Sequence, residues 1–108
     1  MIRFQIIDAP DQQFGAILNG RRVTLRLRYN PSIDRWSFDL SVDNLPVLHG
    51  QRIVIGTDLL GAFSFGIGQI FAWPYVQGAQ PDRVNLPNGN VRLYHVTDEE
   101  AENAAISA

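Results

Sequence analysis

Eight consecutive residues, Arg22-Val23-Thr24-Leu25-Arg26-Leu27-Arg28-Tyr29, alternate between polar and apolar side chains. A repeat of two puts Val23, Leu25, Leu27 and Tyr29 on one face of an extended strand and Arg22, Thr24, Arg26 and Arg28 on the other. Wound into a helix, both sets would scatter around the axis. Turn-forming residues follow at Asn30-Pro31-Ser32-Ile33-Asp34-Arg35, and the alternation resumes with Trp36, Phe38, Leu40 and Val42 against Ser37, Asp39 and Ser41. The two runs read as an antiparallel hairpin with one buried face. On its outer face an Arg–Asp cross-strand pair is expected, worth roughly a few tenths of a kcal/mol, with the register left open.

The rest of the chain fits around this hairpin. Met1 to Asp8 has too short an apolar run for a signal peptide and reads as a first strand. Gln13 to Leu18 reads as a strand that enters Asn19-Gly20, a pair suited to a type I′ turn because both central residues need positive φ. Val47 to Gly50 and Arg52 to Ile55 read as two short strands, and Thr57 is a candidate N-cap for one helical turn that Gly61 limits. Phe63 to Tyr75 is apolar, interrupted by glycines and by Pro74, which suits an edge strand or an ordered loop. Gln77 to Gly89 is loop-like, Val91 to Val96 gives the final strand, and Thr97-Asp98-Glu99-Glu100 has the form of a capping box. The expected fold is all-β, one antiparallel domain of about six strands, a small barrel or sandwich with at most short helical pieces. It spans residues 1–96, and 97–108 follow as an acidic tail or short helix. That tail either frays or orders against a neighbouring subunit.

Composition narrows the chemistry. Among 108 residues there is no cysteine, so no disulfide, thiolate metal site or thiol nucleophile is available. All nine basic residues are arginine; without lysine, neither a phosphate-loop motif nor a Schiff base can form. Asp98, Glu99, Glu100 and Glu102 sit together near the end, so residues 1–97 carry nine arginines against seven aspartates, a formal +2 beside a segment of −4. His49 and His95 lack a second ligand at metal spacing and read as structural. Phe65-Gly66-Ile67-Gly68-Gln69-Ile70-Phe71 starts like a dinucleotide fingerprint, but Phe71 occupies the third glycine position and no βαβ unit surrounds it. A set such as Ser64, His95 and Asp58 has no nucleophile elbow, and Asp8 and Asp11 read as turn residues. No catalytic residue, cofactor or metal is expected. Neither is a membrane partner, because no window approaches the roughly 18 apolar residues of a spanning helix.

What remains is surface. Arg22, Arg26 and Arg28 share one strand face, and Trp73 and Tyr75 flank Pro74 in a glycine-bounded segment. Arginine and large aromatics are enriched at protein interfaces, so these five residues are the interface candidates; Trp73 reads equally well as a lid on the core. The alternative is a nucleic-acid-binding β-ribbon using the Arg22/Arg26/Arg28 face. A body of only +2 falls short of the strongly basic domain that such binding needs, so nucleic acid is not the expected partner.

The serial order of these features resembles the baseplate plug proteins of contractile-tailed bacteriophages. The residues that carry the resemblance are Asp11-Gln12-Gln13-Phe14, the run from Asn19 to Asn30, Trp36-Ser37-Phe38-Asp39-Leu40, Pro46 to Gly50, Gly56-Thr57-Asp58-Leu59-Leu60, Pro81 to Leu86 and Val91-Arg92-Leu93-Tyr94. They cover about residues 10 to 96. The resemblance implies a structural virion protein at the tail baseplate. It would be a plug that helps close the tube tip, bound to hub, tail tube and spike proteins and present in multiple copies of a symmetric assembly. It implies no catalytic residues.

Overall fold

The structure, a computed structural model, describes residues 1–61 and 66–100. Its strands are β1 (Ile2–Arg3), β2 (Asp11–Leu18), β3 (Arg21–Asn30), β4 (Arg35–Val42), β5 (Leu45–Arg52), β6 (Gln69–Pro74) and β7 (Val91–Val96), with a short helix α1 (Asn85–Asn88) before β7. They form a four-stranded sheet in the order β2-β3-β4-β5 and a three-stranded sheet in the order β1-β7-β6, with every strand pair antiparallel. Among the described residues the sheets do not close into a barrel.

The alternation seen in sequence becomes burial. Val23, Leu25 and Leu27 of β3 and Trp36, Phe38, Leu40 and Val42 of β4 all face inward, where they meet Ile70, Ala72, Val91 and Leu93 from the other sheet in one apolar cluster. Asn19 and Gly20 both have positive φ, 55° and 77°, as a two-residue I′ connection between β2 and β3 requires. Asp43 and Asn44 repeat this geometry between β4 and β5, with φ of 51° and 66°.

The second half of the first sheet departs from the expectation of separate strands at Val47–Gly50 and Arg52–Ile55. One strand, β5, runs through to Arg52, and its register against β4 slips twice, from Phe38↔Gln51 to Leu40↔Leu48 and again to Ser41↔Pro46. Each slip adds one residue to β5, which is a β-bulge. Two bulges in eight residues erase the period of two, so the sequence showed only the Val47–Gly50 piece of this strand and not its full extent. Ile55 contributes only a single bridge to Ala72.

Thr57 does not open a helical turn. Asp58 does the capping instead: its Oδ1 accepts from the backbone N–H groups of Leu60 at 3.1 Å and Ile70 at 3.2 Å, tying the turn to β6. The free edge of β6 is further covered by bonds from Gly56 N–H to the Ala72 carbonyl and from Leu59 N–H to the Ile70 carbonyl. The capping box does form, since Glu100 N–H donates to Thr97 Oγ1 and Thr97 N–H to Glu100 Oε1. Glu100 also receives the amino group of Met1, and this bond above all holds its carboxyl down at about 2. The remainder of the expected tail, 101–108, lies outside the described residues, as do Ser64 and Phe65.

Candidate protein interface

The outer face of the four-stranded sheet is where the sequence placed Arg22, Arg26 and Arg28, and β3 does present all three there. Arg26 and Arg28 are already occupied. Arg26 makes a two-pronged contact with Asp11, Nε to Oδ1 at 3.0 Å and Nη2 to Oδ2 at 2.8 Å, and Arg28 Nη2 bonds both oxygens of Asp39 at 2.8 Å. Arg22 makes no side-chain ion pair among the described residues, although its backbone N–H donates to Asp43. With two of three guanidiniums satisfied by carboxylates, the stripe has little net charge to offer a phosphate backbone. It is a specific polar surface rather than a basic one.

Asp39 is the hub of this face, and the bulge explains why. His49 and Gly50 stand together opposite it, so the Gly50 N–H, with Gly50 at φ 66°, points at Asp39 Oδ1 from 2.8 Å, while His49 Nδ1 lies 3.1 Å from the same oxygen. Partial burial pushes the Asp39 carboxyl up, but the Gly50 amide, the Arg28 bond and the nearby charges outweigh it and hold the group below its ordinary value. Asp11 and Asp43 are held low in the same direction, chiefly by the side-chain bonds from Arg26 and Arg21. A shallow depression of about 440 Å³ lies over Arg26, Asp39 and His49, walled by Pro46, Val47 and Leu48 of β5 and by Thr24 and Ser41. The His49 ring is 81% exposed, and among the described residues no hydroxyl is hydrogen-bonded to it.

The second candidate face belongs to the three-stranded sheet. Ile70 and Ala72 of β6 point into the core, so Phe71 and Trp73 point out, and Tyr75 continues the row just past the strand. Trp73 is 56% and Tyr75 66% exposed. Trp73 is therefore no lid on the core. Arg92 stands opposite Trp73 in the β6–β7 ladder, and its guanidinium carbon sits 3.5 Å from the centre of the Tyr75 ring, a close cation–π contact. On the inner side of β7, His95 is buried and bonded through Nε2 to the Ile67 carbonyl. Gly68 makes this approach possible: its φ is +97°, and a Cβ there would lie 2.5 Å from the Val96 carbonyl oxygen.

The two candidate faces thus lie on different sheets, each backed by the shared core. Sequence reasoning expected an arginine–aspartate pair on the outer face but missed the bulge that brings Gly50 and His49 to Asp39, and it missed Arg92, which nothing in a linear reading links to Tyr75. A family model described as cyanophage baseplate Pam3 plug gp18 matches residues 1–99. The chain belongs to this baseplate plug family. The match runs from β1 past the end of β7, stopping one residue short of Glu100, and so includes both faces. As a member of the baseplate plug family the protein is a structural part of the phage virion, located in the tail baseplate and associated with other baseplate components. No curated protein matches the chain.

Proposed function

We propose that this baseplate plug protein helps close the tip of the tail tube, held in several copies of a symmetric assembly by hub, tube and spike proteins, and that it acts by contact rather than catalysis. Residues 1–96 serve as the rigid body and 97–108 as an attached acidic segment. Trp73 and Tyr75 on one sheet, and the polar face of Arg22, Arg26 and Arg28 on the other, are the contact surfaces.

The observation that carries this reading is the exposure of Trp73 and Tyr75 on the outside of a sheet whose inside is closely packed core. Large aromatics of this kind, held by a rigid backbone, contribute most of the binding energy at protein interfaces. Arg26 and Arg28, fixed by Asp11 and Asp39, present oriented polar groups at little entropic cost to a partner.

Co-expression with the hub, tube and spike proteins of the same phage tests the reading. The chain should co-purify with at least one of them, and Trp73→Ala combined with Tyr75→Ala should weaken that association about tenfold or more, as loss of a hot spot does. Absence of the protein from isolated baseplates would overturn it.

A further inference from the structure

Two arginines that no sequence pattern connects converge beside Gly89. Arg3 Nη2 lies 2.9 Å and Arg92 Nε 3.9 Å from the point where a Gly89 Cβ would stand, and Arg92 Nε donates to the Gly89 carbonyl at 3.1 Å. Neither guanidinium is in an ion pair among the described residues. Two like charges brought together in this way, one of them 3.5 Å from the centre of the Tyr75 ring, favour an anion between them.

The chain itself carries the complementary charge. Its acidic residues are concentrated at 98–102, whereas residues 1–97 are net positive. Asp98 and Glu99 are exposed, while Glu100 is engaged by Thr97 and the Met1 amino group. Among the described residues neither Asp98 nor Glu99 is in an ion pair with its own chain's Arg92, or with Arg3, which stands opposite Tyr94 and is three strand residues from Thr97. The run of β7 separates Thr97 from Arg92 by about 16 Å at 3.3 Å per residue, and the capping box fixes the turn at that far end.

We propose that the Arg3–Arg92–Tyr75 cradle binds the acidic 98–102 segment of a second copy of this chain, joining copies head to tail. Carboxylates meet a guanidinium through two parallel hydrogen bonds, a geometry for which Arg3 has its whole fork and Arg92 its two Nη groups, its Nε being taken by the Gly89 carbonyl. A head-to-tail contact uses different surfaces on the two copies and closes into a ring when the rotation allows.

Sedimentation of the full-length chain at low salt tests the proposal through complementation. The wild-type protein should self-associate, with affinity falling as salt rises. A cradle variant, Arg3→Ala with Arg92→Ala, and a tail variant, Asp98→Asn with Glu99→Gln and Glu102→Gln, should each lose association by about tenfold or more, on the scale of a broken charged contact. Mixed together they should form a one-to-one pair, because each supplies what the other lacks. Self-association by either variant at wild-type strength would overturn the proposal. So would a mixture that fails to pair, a wild-type chain that stays monomeric, or a cradle that retains a DNA oligonucleotide but no second copy.

Discussion

Arg26 stands directly opposite Asp39 in the β3–β4 ladder, yet it is bonded to Asp11, while Arg28, which stands opposite Asp11, is bonded to Asp39. The two pairs run along diagonals of the sheet rather than straight across it. Diagonal neighbours lie within reach of long side chains, and the bulge draws Asp39 toward the Gly50 amide and leaves its remaining capacity for Arg28. The two pairs differ in exposure: the Asp39 side chain is 22% exposed, that of Asp11 53%.

That difference sets a ranking. Asp39→Ala strands the Gly50 amide and Arg28 together and is expected to cost about 1–3 kcal/mol, the range for hydrogen bonds to a charged group. Arg26→Ala breaks an open pair and should cost clearly less. Urea titration of both variants checks this, and equal midpoints would contradict the ranking.

Acid should weaken the fold from the same residues. Asp11, Asp39 and Asp43 are all depressed below their ordinary 3.8, so each contributes stability that is fully present above that value and is lost as pH falls through the lower, folded value. Thermal stability should accordingly be flat from neutral pH down to about 5 as far as these groups are concerned, and fall below about 4. In Asp39→Asn the acid limb should be shallower than in the wild type. An unchanged limb would show that Asp39 is not among the linked groups.

The two tryptophans should part company in solution. Trp36 is fully buried, with its indole N–H donating to the Asp82 carbonyl at 3.0 Å, whereas Trp73 faces out. Trp36→Phe removes a buried bond and leaves the acceptor unmet, for about 1–3 kcal/mol, while Trp73→Ala should change stability by about 0.5 kcal/mol or less. Iodide should quench Trp73 alone, and incorporation into baseplates should protect it.

Two glycines separate backbone strain from crowding. Gly68 and Gly78 both have positive φ, but a Cβ meets the Val96 carbonyl at Gly68 and nothing within 4 Å at Gly78. Gly78→Ala should cost about 1–2 kcal/mol, the left-handed penalty alone, and Gly68→Ala should cost more because β7 or the turn must move. Similar losses in thermal denaturation would argue against the close approach.

What the sequence revealed and what it hid follow from range. The β2–β3–β4 meander was legible because its signals are local: a period of two in Val23 to Leu27 and Trp36 to Val42, and an Asn-Gly pair with the φ values that its turn demands. β5 was legible only as a short piece at Val47 to Gly50, because two bulges move side chains out of phase, so Leu48 and Gln51 oppose Leu40 and Phe38 across interrupted ladders. The alternation put the arginines and Asp39 on one face and led to an arginine–aspartate pair there, but which arginine takes which aspartate stayed open, since the diagonal pairing depends on a register fixed by the whole sheet. Trp73 and Tyr75 were visible as candidates by residue type. Arg3 and Arg92 were invisible because the contact that unites them spans most of the chain.

The treatment of strand edges has a consequence for how such a protein lives among copies of itself. The segment from Ile55 to Leu59 bonds along β6, while Pro46 and two bulges roughen β5, so these edges do not offer a neighbour a continuous, regular ladder. At these two edges neighbours are met through side chains, in contacts that can be made and parted one at a time, whereas β2 keeps an unbroken edge from Asp11 to Leu18. A baseplate part held by side chains can be parted from a neighbour contact by contact, where a shared sheet would have to be unzipped along its length.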